Sequence, residues 1–136
     1  NFKNQEYYIN TNQTFAFADG TVTASYGTAT ARAIADVTND DDTVTPGLKT
    51  NYKAVINSQA GGLLQDTDWM VVRAAEGGTA VPSDITTWRA AVRTKANAMQ
   101  VQIDGAADVD ALAALYVYND DEPPVRPLGE FPVLGA

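Results

Sequence analysis

The chain has 136 residues, with 17 acidic against 9 basic side chains and a net charge of −8. It contains no Cys and no His, which excludes a disulfide framework, Cys/His zinc sites, haem attachment and a thiol nucleophile. The acidic balance repels phosphate backbones and the basic residues form no run, so a nucleic-acid partner is not expected. No stretch approaches 18 consecutive apolar residues, so no membrane span is expected, and the N-terminal residues do not resemble a secretory signal.

One domain of α+β class is expected. Five Ile, seven Leu, thirteen Val and four Phe give a modest core, just above the level of about 20% below which disorder sets in. Much of the remaining hydrophobic content is alanine, so some apolar surface is expected to be completed by a neighbouring chain.

Residues 1–38 read as a β-rich part. Glu6–Ile9 and Thr14–Phe17 are rich in aromatic and β-branched residues and are separated by the turn-prone Asn10–Gln13. Asp19-Gly20 is the dipeptide preferred by type I′ hairpin turns, and Thr21–Tyr26 follows with alternating character. An antiparallel meander of three strands is expected, with a weaker fourth over 28–37. In the Tyr7-Tyr8 pair the rings must point to opposite faces of a strand, one inward and one toward solvent or a partner.

Residues 39–47 form an acidic loop and a boundary. The carboxylates of Asp36, Asp40 and Asp42 make a weak calcium candidate, because calcium takes oxygen ligands, but the glycine and closing glutamate of a helix–loop–helix site are absent. A solvated loop is the reading preferred, with no metal and no cofactor.

Residues 48–118 read as helical, with three to four helices. Tyr52, Val55, Ile56 and Leu63 share a stripe, Gly61-Gly62 weakens that helix near its end, and Thr67 with Asp68 suits the start of another. The strongest helix covers 84–103, with Ile85, Trp88, Val92, Met99 and Ile103 on one stripe and Gly105 closing it. A short helix from about Ala107 to Tyr116 turns Val109, Leu112 and Leu115 or Tyr116 inward. Both tryptophans suit a core between helices, and Trp69 also suits a subunit interface, where tryptophan is enriched. Residues 119–136 form an extended tail: prolines at 123, 124, 127 and 132 deny it helix and most ladder hydrogen bonds. Its apolar residues Val125, Leu128, Phe131, Val133 and Leu134 are expected to dock on a neighbouring subunit.

Without His or Cys, catalysis would rest on carboxylates, Lys, Arg, Tyr, Ser or Thr. Asp66 with Asp68 and Asp108 with Asp110 are the available pairs, and the helix start expected at Thr67 accounts for the placement of the first. No phosphate loop and no nucleophile elbow is present. No enzymatic role is expected.

Leu63-Leu64, Thr67-Asp68-Trp69, Val81-Pro82 and Trp88-Arg89-Ala90-Ala91-Val92-Arg93 occur in that order. Over roughly residues 50–118 this series resembles a motif of tail-fibre assembly proteins and small virion proteins of tailed phages, and is most like structural proteins of marine phages. The resemblance implies a helical hairpin in which Trp69 packs on the Trp88 helix and Arg73, Arg89 and Arg93 pair with carboxylates. It implies a structural subunit of the tail, baseplate or fibre-attachment region, assembled in the host cytoplasm and held in the virion by contacts with other virion proteins and with copies of itself. The alternatives it leaves open are a tail-fibre assembly chaperone that leaves the particle and a capsid or neck accessory protein. The interface residues expected on these grounds are Tyr7, Tyr8, Trp69, Val125, Leu128, Phe131, Val133 and Leu134.

Overall fold

The computed structural model describes residues 2–135. The architecture is α+β: short antiparallel strands first, then helices. The strands are β1 (Tyr8–Ile9), β2 (Thr14–Ala18), β3 (Thr21–Ser25), β4 (Thr30–Ala31), β5 (Val37–Thr38) and β6 (Val44–Thr45). The helices are α1 (Leu48–Ala75), α2 (Ser83–Asp104) and α3 (Val109–Ala114).

The strands do not form the expected meander. They make three two-stranded sheets, β1 with β4, β2 with β3, and β5 with β6. The first two belong to one long hairpin. Tyr8 pairs with Ala31 and Thr14 with Ser25, so the register is the same in both ladders, and Gly27 N–H donates to Thr11 O between them. At the tip Asp19 and Gly20 both have positive φ, 52° and 76°, as a type I′ turn requires.

The acidic loop is a second hairpin. Asn39 N–H donates to Thr43 O, Asp42 takes a φ of 63°, and the Asp41 carboxylate accepts from the Thr43 backbone N–H and hydroxyl. A type I turn followed by a left-handed residue explains the loop length. The boundary expected at 39–47 is therefore built structure that leads directly into α1.

The start of α1 is capped from a distance. Leu48 and Lys49 N–H groups donate to Ala33 O and Ile34 O, and the Asp36 carboxylate accepts from the Gly47 N–H at 2.8 Å and the Thr50 hydroxyl at 2.6 Å. These bonds satisfy donors that a helix N-terminus leaves free. The chain passes so close that a Cβ on Gly47 would lie 2.4 Å from the Ala35 backbone.

α1 runs unbroken for 28 residues, which corrects the expected break at Gly61-Gly62 and the expected new start at Thr67. Each glycine costs about 1 kcal/mol relative to alanine, but packing against α2 outweighs it. Thr67 is buried in mid-helix, its hydroxyl donating to Leu64 O. The stripe facing α2 is Tyr52, Ile56, Ala60, Leu64 and Thr67; Val55 and Leu63, expected inward, are exposed. Across the same face, Asn57 accepts from Gln100 and Lys53 meets Asp104 at 2.9 Å.

α2 supplies the centre of the core through Val92, Ala96, Met99 and Ile103, while Ile85 is also buried and Trp88 is half-buried. Pro82 stands at its N-cap position with no side-chain cap hydrogen bond, and Ser83 is its first residue. Asp108 caps α3, accepting from Ala111 N–H, and Val109 and Leu112 are buried.

The tail departs most from expectation. Leu128 is fully buried in the chain's own core, Phe131 packs against that core, and Leu128 N–H donates to Leu115 O. Trp88 Nε1 donates to Pro132 O and Gln102 Nε2 to Pro127 O. Prolines do remove backbone donors, but the carbonyls remain, and donors on α2 use them. Two helices and a short third leave one side of the core open, and the tail closes it.

Candidate assembly surface

The ribbon made by β1–β4 and β2–β3 is fixed at its base and free at its tip. At the base Tyr7 is buried, with its ring edge-on to Tyr52 at 6.2 Å, and Tyr52 is edge-on to Tyr116 at 5.2 Å. Tyr8 donates to Asp110 of α3, Tyr52 to Glu6, and Arg32 Nε to Gln5 O. Burial, then the hydrogen bond to Glu6, raises the Tyr52 phenol above its ordinary pKa; for Tyr8 the hydrogen bond to the Asp110 carboxylate is the leading cause. These phenols stay protonated and serve as donors that bolt the ribbon to the helices.

Beyond this base every residue of β2 and β3 is exposed, and the two strands make no extended contact with any other element. From Thr11 to Ala18 the arm extends about 23 Å at roughly 3.3 Å per residue. Directly opposed residues of an antiparallel pair share a face. Phe15 opposes Ala24 and Phe17 opposes Val22, so these four side chains form one apolar face, while Thr14, Ala16, Thr21, Thr23 and Ser25 lie on the other. Phe15 is 68% exposed and Phe17 74%. A free two-stranded ribbon is marginally stable in water, so this face gains stability only when something covers it.

The expected interface residues divide into two groups. Tyr7 and Leu128 are buried within the chain and cannot meet a partner; Phe131 is half-buried on the core, and Tyr8 is committed to Asp110. Trp69, Val125, Val133 and Leu134 are exposed. Trp69 does not pack on the Trp88 helix: it points outward, with the Arg73 guanidinium 4.8 Å from its ring centre. Phe15, Phe17 and Val22 were not among the expected interface residues. Their alternation is visible in the sequence, but nothing in it says that no second layer of this chain covers them.

Asp36, Asp40 and Asp42 are not drawn together around one point. Asp36 is engaged with the start of α1, and among the described residues no group of three or more carboxylates is placed to hold a metal ion. Two open grooves of about 520 Å³ lie on the surface, one lined by Lys3, Glu6, Tyr8 and Asp110 at the ribbon base and one by Val117, Tyr118 and Val125 beside the tail. Among the described residues no helix is long and apolar enough to cross a membrane.

The motif residues meet one another. Arg89 Nη1 donates to Leu64 O at 2.9 Å and to Thr67 Oγ1 at 2.7 Å, and Nη2 to Asp68 Oδ1 at 2.8 Å. Thr67-Asp68 and Trp88-Arg89 thus form a clasp between α1 and α2.

No family model, curated protein or solved structure matches this chain.

Proposed function

We propose that the protein is a structural subunit that acts through subunit contacts, with its place in the tail, baseplate or fibre-attachment region of a tailed-phage virion. The observation that carries this reading is the arm: a ribbon anchored by the buried Tyr7 ring against the half-buried Tyr52 and Tyr116, projecting clear of its own domain, with two phenylalanines exposed on one face. An arm of this kind costs a solitary protein solubility and gives an assembling one reach. Exposed apolar patches of this sort mark interaction sites. The motif clasp suits the same role, because it stiffens the helical body from which the arm extends. No catalytic role is part of this proposal. The phage context rests on the sequence motif at residues 63–93.

The test is mass spectrometry of purified particles, in which a structural subunit persists at a fixed copy number. A chain abundant in lysate and absent from particles would refute the structural role and point to a chaperone. Particles carrying Phe15→Asp and Phe17→Asp should show reduced incorporation of the chain.

A further inference from the structure

We infer that the β2–β3 arm pairs with the same arm of a second copy of this chain, apolar face to apolar face, with the two arms running antiparallel. The inference deepens the assembly reading by naming the arm's partner.

Charge distribution favours a second copy. Between Tyr7 and Ala31 the only charged residue is Asp19, in a chain whose net charge is −8. Two acidic copies repel wherever their bodies meet, and the arm is the place where they can touch without opposing like charges. Antiparallel arms also hold the two bodies at opposite ends of the joint, several Debye lengths apart at physiological salt, where the Debye length is about 8 Å. Arms running the same way would bring the bodies side by side.

The face is compatible with itself. A two-fold axis across the ribbon sets Phe15 of one arm against Phe17 of the other, and Val22 against Ala24. The aromatic rows then pack on each other, and the smaller residues leave room for the rings to tilt out of a face-to-face sandwich. Phe15 and Phe17, about two-thirds to three-quarters exposed, with Val22 and Ala24 offer roughly 400 Å² per copy. The pair would then bury about 800 Å² in total, below the roughly 1,200–2,000 Å² of a stable complex. The dimer is therefore weak in dilute solution and forms where copies are concentrated, as in an assembling structure.

Sedimentation of the full-length chain over a wide concentration range tests this. The wild type should show concentration-dependent dimerisation, and the Phe15→Asp/Phe17→Asp variant should stay monomeric with an unchanged melting temperature. A wild-type chain that stays monomeric at every concentration overturns the inference, as does a dimer indifferent to the double substitution. The orientation has its own readout, because the chain contains no native cysteine. A mixture of Val22→Cys and Ala24→Cys chains should cross-link with a short thiol reagent more readily than either alone; equal or absent cross-linking overturns the antiparallel arrangement. Particle incorporation is measured separately, so a monomeric chain that still enters virions removes the second copy as partner and leaves the structural role standing.

Discussion

Arg89 on α2 reaches Asp68 on α1, with Nη2 2.8 Å from Oδ1, while its other terminal nitrogen holds the Thr67 hydroxyl and the Leu64 carbonyl. One guanidinium thus binds three groups on a single turn of the opposite helix. The fork geometry matters more than the charge, since Asp68 is exposed and its ion pair is weakened by solvent.

Arg89→Ala should destabilise the protein by about 2 kcal/mol, the range of a hydrogen-bonded charged group whose buried partners are left behind. Arg89→Lys should recover little of this, because an ammonium cannot span the three acceptors. Asp68→Asn should cost less than Arg89→Ala. Chemical denaturation of the three variants checks the order, and equal losses for Arg89→Ala and Asp68→Asn would show that the ion pair dominates.

Gly61→Ala and Gly62→Ala should each stabilise the protein by about 0.5–1 kcal/mol. Both lie within α1, where a Cβ meets nothing within 4 Å, so the substitution reduces unfolded-state entropy without a clash. A fall in melting temperature would mean that α1 bends at this point in solution.

Gly47→Ala should have the opposite sign. Its φ of −79° is open to any residue, but the Ala35 backbone stands where the methyl group would go. The start of α1 would have to separate from residues 33–36, losing the bonds that cap it, at a cost of about 1–3 kcal/mol. An unchanged melting temperature would show that this junction yields freely.

Leu128→Ala should cost about 2–5 kcal/mol, as for a fully buried leucine, and removal of residues 123–136 should lower the melting temperature of the chain by many degrees. The tail is a layer of the core. A truncated chain that melts with the wild type would place Leu128 outside the core.

Stability on the acid side should depend on Asp36. Hydrogen bonds from the Thr50 hydroxyl, the larger cause, and from the Gly47 N–H lower the Asp36 pKa below its ordinary value. A lowered folded-state pKa means that the unfolded chain binds the proton first. The contribution is therefore complete above about pH 4, the usual aspartate value, and is lost as pH falls through the folded-state pKa. Asp36→Ala should flatten this part of the acid transition, while Asp40→Ala should leave it in place. Calcium or chelator should leave the melting temperature unchanged, because the Asp36 carboxylate is engaged with α1; a rise of many degrees on adding calcium would mean that the acidic hairpin rearranges around the ion.

The sequence by itself determined the elements whose stabilisation is local. Asp19-Gly20 specified the tip turn, since few other residues tolerate two successive positive φ angles. The spacing of Val92, Met99 and Ile103 specified the inner face of α2, and that of Val109 and Leu112 the inner face of α3. What only the tertiary structure decided were contests between weak local signals and distant contacts. Gly61-Gly62 signals a break, yet α1 continues because Arg89, Gln100 and the apolar stripe of α2 hold both sides of it together. The tail prolines signal a segment that cannot stabilise itself, but it is held by Trp88, Gln102 and a core that lacked one wall. Phe15 and Phe17 signal a buried strand face, and here tertiary structure decided by absence: among the described residues no other element makes an extended contact with β2 or β3. Alternation in a sequence states which side of a strand is apolar; what covers that side depends on contacts made across the chain or between chains.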